Sequence, residues 1–113
     1  MEKKAVGVRL DTLADLIRLA SSMISMGSRV YIVHFAHNSR HYYGLLVTFR
    51  DYYKYYGVPL FYYVELDRPL KGNYVLLRAD EAGERVEEGR GPRTGWISIP
   101  VINLADKPDF LEV

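Results

Sequence analysis

Apolar and polar positions along the chain alternate with two periods, and the switch between them divides it into elements. Residues 4–10, "KAVGVRL", alternate so that Val6, Val8 and Leu10 share one side, which predicts a first strand. Thr12 then stands as an N-cap with Asp15 three residues on. Leu13, Leu16, Ile17, Ala20 and Ile24 recur at helical spacing until Gly27 ends the run. This is an amphipathic helix with one face turned to a core.

Downstream the period falls to two. "SRVYIVHFA" (28–36) and "HYYGLLVTF" (41–49) are rich in β-branched and aromatic residues and flank the polar turn "HNSR", which predicts a hairpin. "PLFYYVEL" (59–66) and "NYVLLRA" (73–79) flank "DRPLKG", whose proline and glycine favour a reversal and predict a second hairpin. "WISIPVI" (96–102) supplies a last strand, with Ile97, Ile99 and Val101 on one face and Trp96 and Ser98 on the other. Pro100 cannot donate to a ladder, so this strand is expected at an edge, or to end early. "EAGERVEEGRGPRTG" is charged and glycine-rich and reads as a mobile loop, its acidic part solvated surface. The expected architecture is a single α+β domain over residues 1–113, a largely antiparallel sheet with one main amphipathic helix packed on it.

Composition narrows the function. A length of 113 residues suits one domain with a real core, and 49% apolar or aromatic residues fit a globular chain rather than a disordered one. No apolar run approaches the roughly 20 residues a membrane span needs, and "MEKKAVGV" is too short and mixed for a signal peptide, so no membrane partner and a cytoplasmic location are expected. The absence of cysteine removes disulfides, cysteine-based zinc sites and thiol nucleophiles. Glutamine is absent too, and ten arginines against five lysines fit a protein of a hot environment. The net charge of +1 would not by itself draw a polyanion. Its distribution could: residues 40–78 hold six Lys and Arg against Asp51, Glu65 and Asp67, and the stretch that follows is acidic.

The densest chemistry lies in "FRDYYKYYG", where Tyr52, Tyr53, Tyr55 and Tyr56 surround Lys54 just after Arg50. Helical or extended, this segment sets phenol rings beside cations. Six of the ten tyrosines lie between residues 52 and 63. An unpaired nucleobase offers a flat face that stacks on such rings for about 1–3 kcal/mol, and neighbouring Arg and Lys meet phosphates. The same logic adds Tyr42, Tyr62 and Trp96 as stacking candidates and Arg40 and Arg93 as phosphate contacts, with Arg90 near by in sequence. Against this stands the use of tyrosines to complete a core or a subunit interface. Tyr62 and Tyr63 point to opposite faces of a strand, so at least one is expected to be core.

His34, His37 and His41 lie around one predicted turn, where a cross-strand pair could bring two imidazoles together. No Asp or Glu lies between residues 16 and 50 to orient a metal-bound imidazole, so no metal site is expected. A histidine-dependent ribonuclease, with Lys54 or Arg40 stabilising the developing charge, is the enzymatic alternative. No phosphate loop, His-Glu helix motif or nucleophile elbow supports catalysis, so neither catalytic residues nor a cofactor are expected.

The middle "FRDYYKYYGVPLFYY" and the end "GPRTGWISIPVINLADKP" resemble the ThermoDBP-related proteins, single-strand-binding proteins of hyperthermophilic archaea that are not OB-folds. The resemblance touches about half of the chain. It implies a small α+β domain with a cleft that shelters bases, basic side chains facing phosphates, and a homo-oligomer. No heptad segment follows "DFLEV", so an oligomer would form through the domain itself. The function expected is sequence-tolerant binding of single-stranded DNA or RNA, through Arg40, Tyr42, Arg50, Tyr52, Tyr53, Lys54, Tyr55, Tyr56, Arg93 and Trp96. A homo-oligomeric interaction module is the other alternative.

Overall fold

The computed structural model describes residues 6–47 and 60–109. Among them are one helix and seven strands: β1 (Val6–Arg9), α1 (Leu13–Ser25), β2 (Val30–His37), β3 (Arg40–Val47), β4 (Leu60–Leu66), β5 (Tyr74–Asp80), β6 (Gly83–Gly89) and β7 (Ile97–Asn103). The helix begins where the sequence places it. Thr12 is extended and its hydroxyl accepts the Asp15 N–H at 3.1 Å, satisfying one of the donors a helix start leaves open. Leu16, Ile17 and Ala20 are fully buried, and Leu13 and Ile24 pack beside them. Beyond the last turn Gly27 adopts a φ of +88°, the left-handed conformation that ends helices.

The strands form one curled sheet, a half-barrel, in the order β1-β4-β3-β2-β7-β5-β6. The hairpin β2–β3 is present and tighter than expected. His37 pairs with Arg40 across a two-residue turn in which Asn38 and Ser39 both have positive φ, the turn that matches the twist of the strands.

Other expectations are corrected. The sheet is mixed rather than largely antiparallel, because β1 lies parallel to β4 and β7 parallel to β2. Strands β4 and β5 do not form a hairpin; β3, β2 and β7 stand between them. Their connection travels over the sheet instead of reversing. It is tied down where Leu70 N–H donates to the Tyr43 hydroxyl at 2.7 Å and Arg68 grips Glu88 through two nitrogens at 3.0 and 2.8 Å. This pairing holds the Glu88 carboxyl below its ordinary range.

Strand β7 is central, not at an edge, and Pro100 is accommodated by its register. Val101 N–H donates to Asn73 on the β5 side, so by alternation the nitrogen of Pro100 faces β2, where pairing starts only at Ile32 with Val101. Nearly half of the predicted loop after residue 80 is strand β6. It turns back on β5 through Asp80, whose side chain accepts the Ala82 N–H at 2.9 Å.

The sheet buries residues on both faces. Toward α1 lie Ile32, Tyr43, Leu45, Val64, Val75, Leu77, Ile99 and Val101. The other face carries a smaller cluster of Val33, Phe35, Tyr42 and Phe61, with Tyr63 and Leu104 at its margin. Gly44 makes that cluster possible: a Cβ there would run into the Phe61 ring. Tyr62 packs against the first cluster and Tyr63 against the second, so both contribute to cores. Among the described residues no helix is long and apolar enough to cross a membrane.

Candidate nucleic-acid interface

The segment just before β7 folds back on itself through the residues Arg93-Thr94-Gly95-Trp96. Trp96 N–H donates to the Arg93 carbonyl at 3.1 Å, and Gly95 has a φ of +82° at the third position, where a turn of this kind requires it. Arg93 N–H is in turn held by the Ser98 hydroxyl at 3.0 Å. The turn brings the Arg93 guanidinium to 4.8 Å from the centre of the half-buried indole of Trp96.

Two more arginines reach the same ring from the β5–β6 hairpin. Arg78 and Arg85 are directly opposite in its ladder, and their guanidinium carbons lie 5.9 and 5.6 Å from the indole centre. All three distances are within cation–π range. The face is fixed by strand alternation. Val75, Leu77, Ile99 and Val101 point into the core under α1, so Arg78, Ser98 and Trp96 stand on the side away from it.

The local charge is only partly neutralised. Arg93 pairs closely with Glu87 at 2.6 Å, whereas Arg78 and Arg85 share one oxygen of Asp80 at 3.7 and 3.8 Å. Among the described residues, three guanidinium groups against two carboxylates leave one positive charge in excess. Like charges directly opposite in a ladder are unfavourable, by about 0.2–1 kcal/mol. An aromatic plate set among cations in this way can take a flat ring on its surface and an anion beside it.

The expected site residues are not gathered in one place. Arg93 and Trp96 are together. Arg40 and Tyr42 share their sheet face but lie at the far end: the β2–β3 and β2–β7 registers separate Arg40 from Trp96 by about 30 Å along the strands. Arg40 pairs with Glu65 at 3.1 Å, and Arg9 reaches the same carboxylate at 3.3 Å. Tyr42 sits in the smaller core, 9% exposed, its ring stacked on Phe35 with centres 5.2 Å apart. Arg50, Tyr52, Tyr53, Lys54, Tyr55 and Tyr56 lie outside the described residues.

Sequence reading missed Arg78 and Arg85 as site residues. Their partnership depends on β6 being a strand, and its signal was present: Asp80 and Gly83 bracket a two-residue turn, and Val86 is an apolar position among charges. The acidic side chains of this stretch are largely paired. Glu84 binds Arg18, Glu87 binds Arg93 and Glu88 binds Arg68.

The histidines do form a cross-strand contact. His34 Nε2 and His41 Nδ1 are 2.9 Å apart, with ring centres separated by 5.2 Å and planes 15° apart, so the rings meet end to end. His34 Nδ1 lies 2.8 Å from Asn103 Oδ1, and the His34 ring stacks on Tyr43. An N–H on His34 Nδ1 donating to Asn103 leaves Nε2 to accept from His41. Burial lowers the His34 pKa, partly offset by the Asn103 bond. His37 stands at the turn end of β2, opposite Arg40. Among the described residues no three His, Asp or Glu side chains are grouped to hold a metal ion.

Comparison with known protein families, with characterised proteins and with solved structures found no match to this chain.

Proposed function

We propose that the chain binds single-stranded DNA or RNA with little sequence preference, a base stacking on Trp96 while Arg78, Arg85 and Arg93 meet the adjoining phosphates. The observation that carries this is the cluster itself: one half-buried indole with three guanidinium groups within 6 Å of its centre, two of them directly opposed in a ladder. Such an opposition is unfavourable in the free protein, and a bound phosphate relieves it. Duplexes hide the faces of their bases, so a stacking plate selects unpaired strands; every base has such a face, so it tolerates sequence. The resemblance to the ThermoDBP-related proteins points the same way. Arg40 and the tyrosine-rich segment of residues 50–56 extend the reading as further contacts along a strand, the latter from its sequence alone.

The test is fluorescence anisotropy with labelled single-stranded and duplex oligonucleotides of both sugars. Trp96→Ala is expected to weaken single-strand binding by about 1–3 kcal/mol while the protein stays folded at the assay temperature, its melting temperature lowered by the loss of three cation–π contacts. A variant that binds as tightly as the parent would remove the indole from the interface. A variant that dissociates from an oligomer without a binding defect would assign Trp96 to a subunit contact.

A further inference from the structure

The three arginines around Trp96 are not equivalent, and the difference names the residue that sets how the proposed site takes phosphates. Arg93 Nη1 donates to Glu87 Oε2 at 2.6 Å. Among the described residues the carboxylate partner of Arg78 and Arg85 is the shared Asp80, at 3.7 and 3.8 Å. Glu87 projects from β6 opposite Leu76, on the face that carries Arg85 and Arg78. A carboxylate against a guanidinium presents its oxygens as a phosphate does. Glu87 therefore stands where a phosphate on Arg93 would stand, and the loosely neutralised Arg78–Arg85 pair is the more open seat.

We propose that Glu87 is an internal competitor for phosphate at Arg93. A strand then seats its first phosphate at Arg78 and Arg85, and a neighbouring phosphate competes with Glu87 for Arg93. This inference rests on the reading of Trp96 as a stacking site. Both members of the Arg93–Glu87 pair are well exposed, 45% and 42%, so the exchange is small in energy and Glu87 tunes affinity rather than blocking the site.

Glu87→Gln keeps the size of the side chain and one acceptor oxygen and removes its charge. With a labelled oligothymidylate in anisotropy titrations, this variant is expected to bind about two- to fivefold more tightly than the parent at low salt. The plot of log affinity against log salt should steepen by at most about 0.7, the value for one phosphate contact, as Arg93 becomes more fully engaged. Glu84→Gln is the control: it removes the same charge from the same strand, but Glu84 pairs with Arg18 on the helix side, and binding should stay as in the parent. Equal tightening by both variants would reduce the effect to net charge and overturn the role of Glu87. So would unchanged or weaker binding by Glu87→Gln alongside a clear defect in Trp96→Ala. Unchanged binding by Trp96→Ala would instead sink the stacking site on which the proposal stands.

Discussion

Replacing Arg78 and Arg85 together with glutamine separates binding from folding. In the proposed complex these two side chains supply two phosphate contacts, and each contact to a single strand contributes about 0.7 to the slope of log affinity against log salt. The double variant should lose about 1.4 from that slope. Over a fourfold rise in salt, the roughly sevenfold weakening that the parent owes to the pair would disappear. Stability should fall only modestly, because the terms oppose. The substitution removes a like-charge opposition of about 0.2–1 kcal/mol, two exposed cation–π contacts of about 0.5–1 kcal/mol each, and two loose contacts to Asp80 worth little. The net is on the order of 1 kcal/mol, about 5 °C in melting temperature. Anisotropy titrations at several salt concentrations, with circular-dichroism melts of the same samples, measure both quantities. An unchanged slope would refute the phosphate contacts, and a large fall in melting temperature would make the arginines structural.

Two further predictions concern the fold. The half-buried His34 resists a proton that the unfolded chain accepts near the ordinary value of 6.5, so stability is full above that pH and falls as pH drops through it toward the lowered folded value. Urea midpoints from about pH 8 to pH 5.5 should show this decline, and His34→Gln should flatten it; a parent whose midpoint holds steady over this range contradicts the assignment. Gly44→Ala should destabilise by about 1–3 kcal/mol because its methyl meets the buried Phe61 ring, and adding Phe61→Leu should recover much of the loss. Thermal melts check this, and a Gly44→Ala protein as stable as the parent would show that the ring moves aside freely.

Features set by short-range chemistry were legible in the sequence. The Thr12 cap, the buried stripe of α1, the turn at Asn38-Ser39 and the division of β7 into a core face and a Trp96 face all follow from contacts within a few residues. Apart from β6, read as a loop, the misreadings concern which strand lies beside which. A proline and a glycine in residues 67–72 report that the chain bends, not that β4 and β5 become neighbours. Tyr43 and Glu88 hold that connection from far along the chain. Pro100 entered a central strand because β7 changes partners at that point, which no local pattern encodes. The candidate site was half legible. Arg93 and Trp96 are joined by a turn within four residues, whereas Arg78 and Arg85 join them only once β6 is paired, and Tyr42 has its ring face taken by Phe35.

Because Trp96 is the one tryptophan in the chain, its emission reports this site alone. Titrating the protein with a single-stranded oligonucleotide while following that emission tests base stacking directly. Saturable quenching, with the same midpoint as an anisotropy titration and far weaker with duplex, is the predicted result. Binding seen by anisotropy while the indole emission stays constant would contradict the account, since the strand would then lie elsewhere on the protein.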